Sequence, residues 1–134
     1  KNFKHKYPDM KLYEEILFLD NYFKGKYVVE NVIPFYKPLM PAKKRGRHLY
    51  WTNFNLPSNI GERKLFKNMI ESGNIKDLSS FHDYDFTKYK GEQRMNKVAR
   101  NLVDYEVGKT ILDVAMGIIT KQNPEQTDIF DLGA

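Results

Sequence analysis

The chain has 134 residues, a net charge of +5 and no cysteine, which excludes disulfide bonds and cysteine-ligated zinc sites. Its hydrophobic fraction of 41% is enough for a core, and no apolar run approaches the ~20 residues that a membrane span needs. We therefore expect a cytoplasmic globular protein with no metal site and no membrane partner, whose positive charge suits an anionic partner.

The first third of the chain is typical of an α/β fold. Apolar residues at helical spacing predict a helix over residues 10–23, capped by Asp9 and stopped by Gly25, with its broad apolar face on a sheet. The β-branched residues 26–33, between Gly25 and Pro34, predict a buried strand of a parallel sheet. A helix that leads directly into such a strand is the second half of a βαβ unit.

A proline-rich loop, a basic run and a second strand follow. Three prolines exclude regular structure from residues 34–41. Residues 43–47 contain four basic side chains and no acidic one. The aromatic residues 48–54 predict a strand.

The remaining elements are mostly helical in pattern. We expect a short helix over residues 62–71 and loops at residues 73–74 and 79–84. Residues 93–120 have apolar side chains at helical spacing and predict two helices or one kinked helix, interrupted at Asp104 and Gly108.

Glu30 is the first candidate for chemistry. It precedes Asn31 at the carboxyl end of the predicted strand, the edge at which open α/β sheets bind ligands. A buried carboxylate is costly without a partner or a ligand. For residues 29–32 taken alone, an ordinary Glu exposed to water or capping a loop is the simpler interpretation.

The basic run is the second candidate. A solvated loop is the simpler interpretation of any charge run, but this one leads directly into an aromatic strand. Guanidinium groups bind phosphates and base edges bidentately, and basic residues interleaved with aromatics are common on nucleic-acid surfaces. We expect a nucleic-acid contact from Lys37, Lys43, Lys44 and Arg45.

Four blocks of sequence, taken together, carry a resemblance. They read PDMKLYEEI at 8–16, VVENVIPFYKPL at 28–39, GRHLYWTNF at 46–54 and RNLVDYEVG at 100–108. In this order they resemble a bacterial and phage group of cytosine-5 DNA methyltransferases. The resemblance implies an α/β fold that is part of a Rossmann-like S-adenosyl-L-methionine-dependent methyltransferase sheet with flanking helices. It also implies a transferase of DNA methylation and restriction–modification, with double-stranded DNA as its partner.

Glu30 occupies the position of the family's Glu-Asn-Val carboxylate, with Asn31 as a supporting neighbour. That carboxylate hydrogen-bonds N3 of a cytosine that has been flipped out of the duplex. The resemblance implies that Glu30 gives or shares a proton with the ring nitrogen as a thiolate adds to C6. General acid assistance of this kind is worth roughly 10²–10⁴-fold in rate.

The family's Gln-x-Arg-x-Arg block falls on the basic run. The resemblance implies that Arg47 contacts cytosine O2 and holds Glu30 in place, and that Arg45 has a supporting role. Lys43 stands where the family has Gln, so the support of the catalytic loop differs in this chain.

Only one residue is assigned to the cofactor side. In the family's last block Asn101 would pack against the S-adenosyl-L-methionine site, whereas Arg100 departs from the usual Gly. The chain holds neither a Pro-Cys nucleophile nor a Gly-rich cofactor loop. Without Cys the covalent adduct at C6 cannot form within this chain. We therefore expect the C-terminal part of such an enzyme, as a fragment, a split-enzyme subunit or a truncated relative, inactive alone and with most of the cofactor site elsewhere.

The resemblance predicts four regions. They are a catalytic-core segment with the base-binding Glu and Arg over 1–55, a small target-recognition region over 56–92, C-terminal helices that pack back on the core over 93–121, and a mobile tail over 122–134.

Two further interpretations stay open beside the half-enzyme. The chain could be a non-catalytic DNA-binding or regulatory module, which would keep the basic surface but have no use for Glu30, or a decayed gene product. A half-enzyme would expose apolar surface, so we expect association with itself or with the missing N-terminal half through the first helix or the strand at residues 27–33.

The tail carries a separate motif. Residues 126–130, QTDIF, resemble the pentapeptide by which bacterial DNA enzymes dock on the sliding clamp, with Gln126, Ile129 and Phe130 as the clamp-binding residues. A packed C-terminal segment is the simpler alternative.

Overall fold

The computed structural model describes residues 7–65 and 73–118, in two compact units, Lys1–Ser58 and Asn59–Ala134. The described residues form a mixed α/β structure. None of their helices is long and apolar enough to cross a membrane. The elements in chain order are α1 (Met10–Tyr22), β1 (Val28–Val32), β2 (Lys43–Arg45), β3 (His48–Thr52), α2 (Ile75–His82), a 3₁₀ turn (Phe86–Lys88), α3 (Met95–Asn101) and α4 (Tyr105–Ala115).

Helix α1 begins and ends close to its predicted bounds. The Asp9 carboxylate accepts a hydrogen bond from the Lys11 amide at 3.0 Å, which caps the first turn, and the backbone becomes extended at Phe23. The helix buries Tyr13 and Ile16. The predicted apolar face is narrower than expected, because the next two side chains, Leu17 and Phe18, are 51% and 57% exposed.

The sheet is antiparallel, in the order β1–β3–β2. The expectation of a buried parallel strand at residues 26–33 is therefore wrong: β1 forms there, but it is an edge strand with exposed and half-buried positions. A parallel pair needs a crossover of about a dozen residues or more, usually a helix. The proline-rich segment between β1 and β2 supplies no helix, so the βαβ unit does not form among the described residues.

The basic run is a hairpin rather than a solvated loop. Lys43–Arg45 forms β2, and the turn at Gly46 leads directly into β3, with Arg45 paired to His48. Gly46 has φ +52°, and two-residue hairpin turns that match the twist of the strands need a residue tolerant of positive φ. The predicted second strand is confirmed as β3.

Packing of α1 on one face of the sheet makes the core of the first unit. Tyr13 and Ile16 contact Leu49 and Trp51, and the Tyr13 and Trp51 rings meet edge to face with centroids 6.1 Å apart. The Trp51 indole N–H donates to the carbonyl of Met40 at 3.2 Å, which ties the proline-rich loop to the same core. This hydrogen bond and the packing of Tyr36 and Met40 against the core therefore hold that loop.

The second unit corrects the prediction of a loop at residues 79–84. Helix α2 extends to His82, and Asp83 closes it in the left-handed conformation at φ 49°. The polar composition suggested a loop, but Leu78 packs in a cluster with Phe86 and Ala99 and thereby selects a helix. Of the helix predicted over residues 62–71, residues 62–65 are irregular and the rest lies outside the described residues.

The prediction of two helices within residues 93–120 is confirmed as α3 and α4. The break falls at Asp104, whose carboxylate accepts from the Glu106 amide at 3.1 Å and caps α4. Gly108 does not interrupt α4. Glycine inside a helix costs about 1 kcal/mol, which the buried side of α4 at Val107 and Ile111 offsets.

An ion pair ties Arg63 to the start of α4. The Arg63 Nη2 lies 2.6 Å from Asp104 Oδ1, and its guanidinium carbon lies 4.3 Å and 4.5 Å from the ring centroids of Phe81 and Tyr105. Burial alone would raise the pKa of Asp104, but the hydrogen bonds from Arg63 and the Glu106 amide lower it below its ordinary value. The stabilisation is therefore present above the ordinary carboxyl pKa and is lost as the pH falls through the depressed one.

We predict that Ile16→Ala destabilises the first unit by about 2–5 kcal/mol, because it removes a side chain that is 1% exposed between the helix and the sheet. Leu17→Ala, one residue along and exposed, is the matched control and should cost far less. Denaturant unfolding followed by the fluorescence of Trp51, the single tryptophan of the chain, reports this core directly. Equal losses of stability for the two variants would contradict the packing.

Candidate functional site: the polar face of the sheet

The register of the sheet collects polar side chains on the face away from α1. Glu30 pairs with Tyr50, and Tyr50 pairs in turn with Lys43. Paired residues of an antiparallel sheet share a face, and side chains alternate along each strand. We call the resulting set the polar face; it consists of Glu30, Lys43, Arg45, His48, Tyr50 and Thr52.

Glu30 and His48 form the centre of the polar face. The Glu30 Oε2 lies 3.9 Å from the His48 Nε2; the Glu30 side chain is 42% exposed and the His48 side chain only 8%. Partial burial raises the pKa of Glu30 above its ordinary value, while the charge on His48 acts in the opposite direction. A reachable carboxyl group thus holds its proton to a higher pH than a fully solvated one.

Lys43 lies on the far side of β3 from Glu30, and its ammonium group forms hydrogen bonds within the first unit. Its ammonium group donates to the Thr52 hydroxyl and to the carbonyl of Phe54, the latter at 2.7 Å. Burial first, and the neighbouring charge of Arg45 second, lower the pKa of Lys43. In this arrangement the ammonium holds the chain that follows β3.

Arg45 extends the same support to the next residues. Its guanidinium donates to the carbonyls of Leu56 at 2.7 Å and Pro57 at 2.6 Å, and to its own neighbour Lys44 at 2.8 Å. Three of its five N–H donors are used in this way. The guanidinium therefore fixes the segment after β3 against the hairpin.

The other two predicted DNA contacts, Lys37 and Lys44, are more exposed than Lys43 and Arg45. Lys37 and Lys44 are exposed, Lys37 in the proline-rich loop and Lys44 on β2. Lys44 pairs with Leu49 and so belongs to the face of the sheet opposite Glu30. The four basic residues are thus spread over both faces and a loop, and their contact with nucleic acid stays a prediction.

Asn31 does not share the polar face with Glu30. It pairs with Leu49, on the side that α1 covers, and lines a groove of about 400 Å³ with residues of the following loop, among them Pro34, Phe35 and Tyr36. The structure therefore separates the two neighbours, as strand alternation requires.

Arg47 lies in the turn between β2 and β3. Its carbonyl accepts a hydrogen bond from the amide of Ile33 at 3.1 Å, so its backbone is fixed just past the end of β1. Strand alternation ends at the turn and assigns the Arg47 side chain to neither face. A contact between its guanidinium and the Glu30 carboxyl stays a prediction.

Asn101 is the last residue of α3 and is half-buried in the second unit. One amide does not make a binding site for a nucleoside and an amino-acid group, so the described residues do not by themselves fit S-adenosyl-L-methionine. Within residues 7–65 and 73–118 no group of three His, Asp or Glu side chains is placed to hold a metal ion. The tail residues Gln126, Ile129 and Phe130 lie outside the described residues.

His48 was not predicted from the sequence as a site residue. The available signal was the alternation of residues 48–54: pairing β3 antiparallel with β1 places His48 diagonally across from Glu30, two residues along β3 from its partner Tyr50. That signal has value only once the strand direction is known.

Comparison of the chain with protein-family profiles, with curated protein sequences and with solved structures found no match in any of the three.

We predict that His48→Gln raises the pKa of Glu30 further, because it removes a neighbouring charge that lowers this pKa. The pKa is measured from the pH dependence of the ¹³C shift of the Glu30 carboxyl. Asp104, which belongs to the second unit, is the internal control and should keep its depressed pKa. A Glu30 pKa that stays constant or falls would show that the imidazole does not act on this carboxyl.

Proposed function

We propose that this chain is the C-terminal part of a DNA (cytosine-5-)methyltransferase and supplies the wall that binds the flipped target cytosine. The observation that carries the proposal is Glu30 on the polar face. It lies within the Glu-Asn-Val block, is open to solvent in part, has a raised pKa and is adjacent to a buried imidazole. A carboxyl group that donates a proton to a base needs access to that base and a raised pKa.

The proposed role of Glu30 is to protonate the pyrimidine ring. As a thiolate forms a bond to C6, the ring's π electrons shift through C5 and C4 toward N3. N3 takes the proton from the Glu30 carboxyl group and leaves a carboxylate. His48, when protonated, lies close enough to stabilise that carboxylate. We extend the proposed site to His48 for this reason, with Arg47 as the expected contact to cytosine O2.

The thiolate belongs to another segment of protein, because this chain contains no cysteine. The Rossmann-like sheet and most of the S-adenosyl-L-methionine site are likewise assigned to that segment, and Asn101 is the one residue proposed to approach the cofactor. S-adenosyl-L-methionine would supply the methyl group for C5. The chain described here would bind and orient the base rather than complete the reaction alone.

The basic residues favour duplex DNA as the partner. Lys37 and Lys44 are exposed and available for phosphates, whereas Lys43 and Arg45 fix the segment after β3 within the first unit. A non-catalytic DNA-binding module derived from such an enzyme is the alternative. It would use the same basic residues and would be indifferent to the protonation of Glu30. Docking of residues 126–130 on the sliding clamp stays a separate proposal.

We predict that Glu30→Gln lowers methyl transfer by roughly 10²–10⁴-fold, because the amide cannot give a proton to N3. The measurement mixes the full chain with a Cys-bearing N-terminal half from the resembled family and follows transfer of labelled methyl groups to duplex DNA. DNA affinity should change little, since the carboxyl does not face a phosphate in this proposal.

Glu14→Gln on the exposed side of α1 is the matched control: it makes the same change of charge and should leave transfer intact. If the unsubstituted chain gives no methyl transfer with any such N-terminal half, the proposed methyltransferase function is contradicted. Equal transfer by the unsubstituted chain and Glu30→Gln would assign the chain to the DNA-binding alternative.

A further inference from the structure

The second unit contains a basic groove that the proposed base-binding wall does not use. The groove has a volume of about 550 Å³. Among the described residues, its lining contains three cationic side chains and no acidic one; these residues are Gly73, Arg94, Met95, Asn96, Lys97 and Arg100.

The cations form one row along α3. Lys97 and Arg100 are three residues apart on α3, a spacing that places them on the same side of the helix, and Arg94, the N-cap residue, lines the same groove. Like charges at this spacing repel each other and weaken the helix by a small amount. A bound anion would relieve the repulsion between the two exposed cations, Arg94 and Lys97.

Two members of the row have no anionic partner within the described part of the chain. Arg94 and Lys97 are exposed and make no ion pair with any residue in 7–65 or 73–118. Arg100 is half-buried, and its guanidinium Nε donates to the carbonyl of Asn96 at 3.4 Å. Two exposed cations next to the guanidinium of Arg100 are suited to bind successive anionic groups of one polymer.

The groove is built on a fixed platform. Helix α3 buries Ala99 against Leu78 and Phe86, so the row cannot shift without disturbing this core. Asn96 donates to the carbonyl of Gly73 at 2.8 Å, which closes the far wall. Gly73 has φ +58°, so a side chain there would strain the wall backbone.

We propose that this groove binds the sugar–phosphate backbone of nucleic acid, in contact with two or three successive phosphates. The distance from residue 94 to residue 100 along a helix is about 9 Å, and one strand of duplex DNA carries a phosphate every ~3.4 Å along its axis. Duplex DNA as the source of these phosphates rests on the proposed function. The cation row itself requires only a phosphodiester chain.

The test is the salt dependence of DNA binding by the full chain. Arg94→Gln, Lys97→Gln and Arg100→Gln together should reduce the slope of log affinity against log salt by about 1 for each phosphate that the variant no longer binds, or about two to three in total. The probe is a short duplex DNA that contains cytosine, and fluorescence anisotropy gives the affinity at each salt concentration. Arg94→Gln with Lys97→Gln, both exposed, should reduce the slope by about 2 without touching the half-buried Arg100.

The control removes the same charge elsewhere. Lys11→Gln, Lys24→Gln and Lys88→Gln, all exposed, also lower the net charge from +5 by three, and should leave the slope nearly unchanged. An equal reduction of the slope in the groove and control variants would overturn the proposal, because it would show a general charge effect. An unsubstituted chain that binds no DNA would overturn it as well.

A single strand of the same sequence identifies the source of the phosphates. If the groove substitutions reduce affinity for the duplex more than affinity for the single strand, duplex DNA is supported as the source of the phosphates. The reverse result overturns that assignment. Weaker binding by the groove variant, together with methyl transfer that is insensitive to Glu30→Gln, would leave the groove intact and contradict only the proposed enzyme.

Discussion

The antiparallel pairing of β1 with β3 is the constraint on which the candidate site depends. It places Glu30 opposite Tyr50 and one diagonal step from His48, and it sends Asn31 to the other side of the sheet. A shift of the register by one residue would exchange the two faces, burying Glu30 under α1 and exposing Asn31. The packing of Val29 against the core that contains Leu49 and Trp51 opposes that shift, because a one-residue slip of β1 would turn Val29 out of this core.

The two faces of this small sheet thus have separate tasks. One face makes the hydrophobic contact with α1 that holds the unit together. The other carries Glu30 and His48, 3.9 Å apart, and the two cations of β2. Lys43 and Arg45 bind carbonyls that follow β3, so they act first as structural supports. Charge in the sequence is therefore an incomplete guide to the ligand surface: the exposed row Arg94 and Lys97 in the second unit is better placed for phosphates than these two residues of the first.

Most elements could be predicted from the sequence because their signals are local. Asp9 and the apolar spacing define α1, and Asp104 marks the break between α3 and α4. The direction of β1 could not be predicted, because a short β-branched run has the same composition in parallel and antiparallel sheets. Helix α2 was missed since its stability comes from Leu78 packing on Phe86 and Ala99, contacts between residues distant in sequence. The pairing of β3 with β1, which is also non-local information, is what brings His48 near Glu30. The assignment of Glu30 to the site rests on the resemblance to a family motif and stays a prediction.

The central claim is that Glu30 donates a hydrogen bond to N3 of an extrahelical cytosine. The most direct measurement is the ¹⁵N shift of N3 in a duplex that carries one labelled, unpaired cytosine, followed as the full chain is added. The account predicts a marked upfield shift with the unsubstituted chain and a much smaller one with Glu30→Gln at equal occupancy of the DNA. The same shift with both proteins, or none with either, would contradict it.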